Sequence, residues 1–298
     1  MKLHHFRSLV AVADTGSLRS AAAALGVSQP AISQSLRQLE RELKTTLLTR
    51  TATGTSLTAI GKVLIPRARA IDNEVHRAQE EVKQLIADPH GSISIGASAF
   101  ASIALLPSAI KALRQRQPMV RVLVRDGLLP AAAVELRDGT LDLVICPLPA
   151  KRDQKEFRFE ELLVSPLHVV ARREHPLRGR ALGLADLVGA DWMVSGAFGG
   201  YGGTVERVFS EHGLPKPTIL MRVDSIVAFQ NILANSDLLG LLPRTLFESA
   251  ASLNLEALEV RDRIRPVRIG AVTRADLPLS ATAETFLSLV REEAARLR

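Results

Sequence analysis

Cysteine is almost absent from this sequence, since Cys146 is the only one among 298 residues. A single thiol excludes an intrachain disulfide and any zinc site built from several cysteines. Cys146 ends the apolar run 143–146 and precedes a proline, a setting typical of a small packing residue. A reactive thiol is the alternative, but no base adjacent in sequence would activate it.

Long hydrophobic runs are also missing, because no apolar stretch is long enough to span a bilayer. The N-terminus lacks the basic, apolar and small-residue pattern of a secretory signal. We therefore expect a cytoplasmic protein without a membrane partner.

Patterns that would mark an enzyme do not occur in the sequence. Ser195 lacks the glycine two positions earlier that a nucleophile elbow needs. The neighbours His4 and His5 would point apart on a helix, and the other histidines are scattered along the chain. These spacings predict no metal site, no cofactor and no catalytic centre.

Positive charge is what the sequence has in excess, with a net charge of +7 and a pI near 10.0. Residues 1–57 contain seven basic and three acidic residues, so this fifth of the chain carries a net charge of +4. A basic N-terminal segment favours a polyanionic partner such as DNA. The length and the 47% hydrophobic content suit two or three globular domains.

Two helices joined by a tight turn are predicted for residues 16–43. Ser17 can cap the first helix, which runs to Leu25, and Gly26 can end it in a left-handed conformation. Ser28 can cap the second helix, with Pro30 in the first turn, where a missing N–H costs nothing. The pattern is typical of a helix-turn-helix.

The second helix has one apolar and one polar face. Ile32, Leu36, Leu39 and Leu43 form a stripe that packs inward. The other face has amide, hydroxyl and guanidinium groups that can bond base edges and phosphates. The candidate DNA contacts are Ser28, Gln29, Pro30, Ser33, Gln34 and Arg37. An amphipathic hairpin with a solvated polar face is the alternative, although such a face usually mixes both charge signs.

Residues 1–65 resemble the N-terminal winged helix-turn-helix of the LysR-type transcriptional regulators. The matching positions are Leu3, Phe6, Val10, Gly16-Ser17-Leu18, Ala21-Ala22, Leu25, Val27-Ser28-Gln29-Pro30-Ala31, Ser33, Leu39-Glu40, Leu43, Leu47, Arg50, Leu57-Thr58 and Gly61. The resemblance implies further DNA contacts from the wing, at Arg50, Thr53 and Thr55. The segment 51–55 is less basic than is usual in the family, so its hydroxyls and main-chain N–H groups would bond phosphates without releasing counterions.

A heptad seam follows the helix-turn-helix and runs through Leu64, Ala68, Ile71, Val75, Ala78, Val82 and Leu85. A helix packed on its own domain would explain the seam. A linker helix that pairs two chains would explain it too, and a two-fold operator requires such pairing. The resemblance favours this second interpretation and implies a homodimer or a homotetramer.

Strands alternate with helices from Gly91 onward, which predicts a parallel sheet covered on both faces and two α/β lobes of about 100 residues each. The resemblance adds the periplasmic-binding-protein-like fold, with a ligand between the lobes. We expect an α/β protein with an N-terminal all-α-type winged helix-turn-helix. Its predicted parts are a DNA-binding domain at 1–58, a linker helix at 59–88 and an effector-binding domain at 89–298, with lobe I at 91–162 and 267–298 and lobe II at 163–266.

Ligands of open α/β sheets bind beyond the carboxyl ends of the strands, often at helix N-termini. The resemblance places an effector cleft at such segments. The candidate contacts are Ser98, Ser102, Leu128, Pro147, Phe198, Gly202, Thr204 and Ser225. The glycine-rich segment 196–203 would form either a closing lid or a loop without ligand contact. We expect an organic acid or aromatic acid as effector, because N–H and hydroxyl groups suit a carboxylate, whereas a sugar would require more amide and acid side chains.

These observations together predict a ligand-responsive transcriptional regulator that is not an enzyme. The resemblance implies that effector binding alters the binding or bending of promoter DNA and so the recruitment of RNA polymerase. The alternative is a solute-binding protein of the periplasmic-binding fold without a DNA role, which leaves the first 60 residues unexplained. An α/β enzyme would need clustered titratable groups.

Overall fold

The computed structural model describes residues 1–51, 54–85, 91–150, 155–195, 204–249 and 253–297. Its N-terminal part consists of three helices and a two-stranded antiparallel sheet. These elements are α1 (Leu3–Thr15), α2 (Leu18–Leu25), α3 (Gln29–Leu43), β1 (Leu48–Thr51) and β2 (Gly54–Leu57).

The helix ends follow the predicted capping pattern. The Ser17 hydroxyl accepts a hydrogen bond from the Ser20 N–H, and the Ser28 hydroxyl accepts one from the Ala31 N–H. Gly26 ends α2 in the left-handed conformation that an L side chain rarely adopts. The predicted helix-turn-helix is confirmed.

The core of this part is apolar, with a few polar contacts between α1 and α3. Ile32, Leu36 and Leu39 of α3 are buried as the stripe predicts, and they pack against α1 and α2. The buried Ser8 hydroxyl of α1 donates to the Ser35 hydroxyl of α3 at 2.9 Å. Because an unpaired hydroxyl is costly in a core, this bond fixes how α3 lies on α1.

Helix α4 (Ala59–Leu85) contains the heptad seam, and the seam positions differ in their burial. Ala68, in the first half, is fully buried against α1, and Arg7 of α1 pairs with Asp72 at 2.6 Å. Ile71 and Val82, further along, are 40% and 54% exposed. The helix therefore packs on its own domain at Ala68, while it presents the apolar side chains of Ile71 and Val82 to solvent.

The first lobe of the C-terminal part contains a five-stranded sheet. Its elements are β3 (Ser92–Ala97), α5 (Ala99–Ala104), α6 (Leu106–Arg116), β4 (Arg121–Asp126), α7 (Ala131–Arg137), β5 (Leu143–Pro147), β6 (Phe157–Ser165), and, after the second lobe, β12 (Val267–Arg274) and α11 (Ala281–Arg296). The strand order is β4-β3-β5-β12-β6.

This sheet is only partly parallel. Strand β3 is parallel to β4 and β5, as predicted, but β12 is antiparallel to both β5 and β6. The expectation of a fully parallel sheet is wrong for β12, which returns from the second lobe and runs opposite to the other four strands. Ser165 pairs with Val267, so the first lobe extends to residue 165 and not only to the predicted 162.

The second lobe lies between β6 and β12 in the chain. Its elements are β7 (Leu167–Arg172), a 3-10 turn (Leu184–Leu187), β8 (Asp191–Ser195), α8 (Thr204–Glu211), β9 (Thr218–Val223), α9 (Ile226–Ala234), β10 (Gly240–Pro243), α10 (Arg244–Glu248) and β11 (Leu255–Ala257). Strand β7 pairs with β10 and β11, and β8 is parallel to β9. Backbone bonds of Leu239 to Met193 and Asp191 connect the two sheets.

One apolar cluster reaches across both lobes, with Ile95 and Leu143 from the first and Met193, Phe229 and Leu242 from the second. This shared core keeps the lobes together, while the carboxyl ends of their parallel strands face a common cleft. Of the helices in the described ranges, none combines the length and the apolar character that crossing a membrane requires.

Candidate DNA-binding face and ligand cleft

The outward face of α3 presents most of the predicted DNA contacts. Ser28, Gln29, Pro30, Gln34 and Arg37 are exposed, and Ser33 is half-buried. Their outward position follows from the burial of the opposite stripe, because a helix that buries one face must expose the other. The face can therefore offer amide, hydroxyl and guanidinium groups to a DNA groove.

Four side chains on this surface were not among the predicted contacts, namely those of Glu40, Arg41, Thr45 and Thr46. A shallow groove is lined by Pro30, Ser33, Gln34, Arg37, Glu40, Arg41, Thr45 and Thr46. Arg41 lies one helical turn after Arg37, a spacing visible in the sequence. Thr45 and Thr46 join the groove because the chain turns back beside α3 after Lys44, whose φ of 52° ends the helix.

Glu40 is the acidic side chain of this groove, and its carboxylate has a structural role. It accepts hydrogen bonds from the backbone N–H groups of Leu47 at 2.8 Å and Leu48 at 3.3 Å. Leu47 is fully buried, so the carboxylate satisfies a donor that water does not reach. Glu40 thereby ties the end of α3 to the start of β1.

The wing formed by β1 and β2 rests on the turn between α1 and α2. The Thr55 N–H donates to the Gly16 carbonyl at 2.9 Å, so it is not free to bond a phosphate as we expected. Thr55 itself is half-buried. The side chain of Arg50 and the whole of Thr53 lie outside the described residues, and their DNA contacts stay predictions.

A titratable side chain, that of His5 in α1, is buried in the DNA-binding part. It is fully buried, and its Nε2 has no hydrogen-bond partner in the described part of the chain. Burial lowers the pKa of His5 below its ordinary value, and the neighbouring His4 lowers it further. The neutral imidazole is therefore the form that the folded domain stabilises.

A second site lies between the two lobes, where a cavity of about 590 Å³ opens at the carboxyl ends of the strands. Small and aliphatic side chains form most of its wall. It is lined by Ala97, Ser98, Ala99, Ser102, Ile103, Asp126, Gly127, Leu128, Ala131, Ser195, Asp224, Ser225, Ile226, Leu241, Leu242, Pro243 and Leu246. Its size and mostly apolar wall suit a small organic molecule.

The structure brings four of the predicted ligand contacts to this cavity, namely Ser98, Ser102, Leu128 and Ser225. Pro147 and Thr204 do not line it: Pro147 pairs with Ile269 inside the sheet, and the Thr204 side chain is buried at the start of α8. Phe198 and Gly202 lie outside the described residues.

Two aspartates in the wall were not among the predicted contacts. Asp126 ends β4 in the first lobe, and Asp224 directly follows β9 in the second lobe. The sequence signal was present, since each aspartate ends or follows an apolar strand. The sequence could not tell that strands about 100 residues apart in the chain point at one cavity.

Two of the serines begin helices that face the cavity. Ser98 caps α5 by accepting from the Ala101 N–H, and Ser225 caps α9 by accepting from the Ala228 N–H, each at 3.3 Å. A hydroxyl that accepts through oxygen can still donate its hydrogen to a ligand. These side chains are therefore both structural caps and possible ligand contacts.

Burial shifts the pKa values of two further side chains, those of Cys146 and His168. Burial raises the pKa of the Cys146 thiol to about 12, which disfavours the reactive thiolate. Burial lowers the pKa of His168, and the nearby Arg244 lowers it further. Within the described ranges, no three His, Cys, Asp or Glu side chains are grouped so that they could bind a metal ion.

Comparison with known proteins agrees with this two-part organisation. Residues 3–62 match the family model described as "Bacterial regulatory helix-turn-helix protein, lysR family", and residues 87–295 match the "LysR substrate binding domain". The HTH-type transcriptional regulator GbpR of Azospirillum brasilense is 31% identical over 296 residues, which cover 98% of this chain and 86% of that protein.

Solved structures share the fold of the whole chain. A full-length OxyR variant from Pseudomonas aeruginosa superposes with a TM-score of 0.73 at 19% identity, over 99% of this chain and 94% of that chain. CbnR in complex with its target DNA superposes with a TM-score of 0.71 at 20% identity, over 98% of this chain and 100% of that chain. The expected helix-turn-helix followed by a two-lobed α/β domain is confirmed.

Proposed function

Because this chain belongs to the LysR family of bacterial transcriptional regulators, we propose that a small molecule in the cleft between its lobes changes how α3 binds promoter DNA. The observation that carries the proposal is the joint presence of two sites in one chain. One is the polar face of α3, and the other is the 590 Å³ cavity between the lobes. Relatives such as GbpR are named transcriptional regulators.

The DNA half of the proposal rests on α3 and its neighbours. Ser28, Gln29, Pro30, Ser33, Gln34 and Arg37 would contact the groove, with Arg41 added by the structure. The structural neighbour CbnR has been solved with its target DNA. A solute-binding protein without a DNA role would leave the helix-turn-helix match over residues 3–62 unexplained.

Pairing of two chains would follow from the exposed seam positions of α4. The exposed Ile71 and Val82 lie on the heptad seam, and burying them against a second α4 would remove apolar surface from water. A homodimer, or a homotetramer made of two dimers, would present two copies of α3 to one two-fold operator.

A route between the two sites passes through α4. The Asn73 amide of α4 donates to the Asp138 carbonyl at the end of α7, at 2.6 Å. Movement of the first lobe on ligand binding would change this contact and so the angle of the DNA-binding domain. The altered promoter complex would act on RNA polymerase in the cytoplasm.

Binding of the full-length protein to fluorescent DNA from its own upstream region tests the proposal. We expect salt-dependent binding, and we expect Arg37→Ala to weaken it about tenfold or more with a shallower salt dependence. Arg180→Ala is the matched control, because Arg180 is exposed on the effector-binding part, far along the chain from α3. Equal affinities of the Arg37→Ala variant and the unmodified protein would overturn the assignment of α3.

A further inference from the structure

The charge of the cleft wall is negative. Asp126 from the first lobe and Asp224 from the second both line the cavity, and both are exposed. Among the described lining residues there is no lysine, arginine or histidine. The cavity therefore has two carboxylates and no neighbouring cation in its described wall.

Nearby guanidinium groups are directed to other acids. Arg125 precedes Asp126 but pairs with Glu135, and Arg222, two residues before Asp224, pairs with Glu206 at 3.1 Å. Arg244 follows the lining residue Pro243 and pairs with Glu248. In the part of the chain that the structure describes, Asp126 and Asp224 have no ion pair with any of these groups.

The remaining polar groups of the wall are hydroxyls. Ser98, Ser102, Ser195 and Ser225 can each donate or accept a hydrogen bond. Aliphatic side chains such as Ile103, Leu128 and Leu246 fill the wall between them. A ligand that fits this wall has an apolar body and polar ends. A carboxylate at either end would meet a like charge, whereas a donor group would meet an acceptor.

We propose that the cleft binds a non-anionic small molecule that has hydrogen-bond donors, hydroxyl or ammonium, at two ends of an apolar body. One donor would bond Asp126 and the other Asp224, so the ligand would connect the two lobes. This inference rests on the proposed function in taking the cavity as the effector site. The proposed ligand class differs from the organic acid that we expected from the sequence, because two aspartates line the cavity in which the carboxylate would bind.

Matched compounds that differ only in their end groups test the charge preference. The full-length protein is heated with 1,6-hexanediol, 1,6-diaminohexane or adipate, while the fluorescence of its single tryptophan, Trp192, reports unfolding. We expect a neutral or amine member to raise the melting temperature by about 2 °C or more at saturation, and its matched acid to have no effect. Comparing the diol with the diamine shows whether the site prefers hydroxyl or ammonium donors.

Variants that each remove one aspartate charge show where the stabilising compound binds. We expect Asp126→Asn and Asp224→Asn each to weaken binding of the stabilising compound about tenfold or more. Asp191→Asn is the matched control, since this exposed aspartate begins β8 at the end opposite to Ser195. A larger shift with the acids, no shift with any compound, or unchanged binding by both cleft variants would each overturn the proposal.

Operator binding measured with the same compounds separates this inference from the proposed function. A neutral or amine compound that binds through the aspartates but leaves operator affinity unchanged would support the ligand class and contradict the proposed function. An acid that alters operator affinity through the cleft would support the function and contradict the ligand class.

Discussion

The carboxylate of Glu40 accepts a 2.8 Å hydrogen bond from the backbone N–H of the buried Leu47. This bond connects the end of α3 to the residue that precedes the first strand of the wing. The same side chain lines the groove beside Arg37 and Arg41. Glu40 thus combines a structural contact with a negative charge placed where DNA phosphates would approach.

Two substitutions separate these effects of Glu40. Glu40→Ala leaves the Leu47 N–H without its partner, and we expect the free energy of unfolding to fall by about 1–3 kcal/mol in chemical denaturation. Glu40→Gln keeps an acceptor oxygen and removes the charge, so we expect a smaller loss of stability and tighter, more salt-dependent DNA binding. Equal stability of the Ala variant and the unmodified protein would contradict the structural contact.

Gly54→Ala should displace the wing. A Cβ at residue 54 would lie 2.6 Å from the Gly16 carbonyl oxygen, and the φ of 143° is rare for an L residue. We expect a loss of about 1–3 kcal/mol in stability and weaker operator binding.

Gly179→Ala is the control for Gly54, because Gly179 has a φ of 71° but no atom within 4 Å of an added Cβ. Backbone strain alone should lower the free energy of unfolding of the Gly179→Ala variant by about 1 kcal/mol, and its operator affinity should not change. If both variants bound the operator as the unmodified protein does, the contact between the wing and the turn would be unimportant for binding.

Acid should destabilise the DNA-binding domain through His5. The folded state lowers the pKa of His5 below its ordinary 6.5, so the unfolded chain binds more protons between the two values. The stabilising contribution is complete above about pH 6.5 and is lost as the pH falls toward the lowered pKa. Urea unfolding from pH 7.5 to pH 5 measures this loss.

We expect His5→Gln to flatten that pH dependence relative to the unmodified protein. His168, whose pKa is also lowered by burial, is present in both proteins and cancels in the comparison. His76→Gln is the matched control, since His76 is exposed on α4. An unchanged slope in the His5→Gln variant would show that the imidazole is not the group responsible.

Ser102→Trp should close the ligand cleft without unfolding the protein. Ser102 is exposed at the cavity wall, so an indole there can occupy the space of a ligand. We expect the effector response of operator binding to disappear while operator affinity without ligand is retained. Ser108→Trp, on an exposed position of α6, controls for the added aromatic surface, and a normal response in both variants would contradict the cleft assignment.

Local features of the DNA-binding part were predictable from the sequence. Ser17, Gly26, Ser28 and Pro30 set helix ends through contacts within a few residues, and the stripe of Ile32, Leu36 and Leu39 set the buried face. Such signals depend on neighbours three or four positions apart, so the order of residues carries them directly.

Contacts between distant positions were not predictable in this way. The antiparallel course of β12, the bond from Glu40 to Leu47 and the close approach of Gly54 to Gly16 all depend on how finished elements pack. The same holds for the cleft, where Asp126 and Asp224 line one wall only after two sheets have formed.

The sequence by itself determined that a polar helix face is presented for DNA and that two α/β lobes follow it. Periodicity and capping were enough for this, because both act within a single element. Only the tertiary structure decided the charge of the ligand cleft. Its two aspartates come from different lobes, and the packing of the strands that precede them brings them to one cavity.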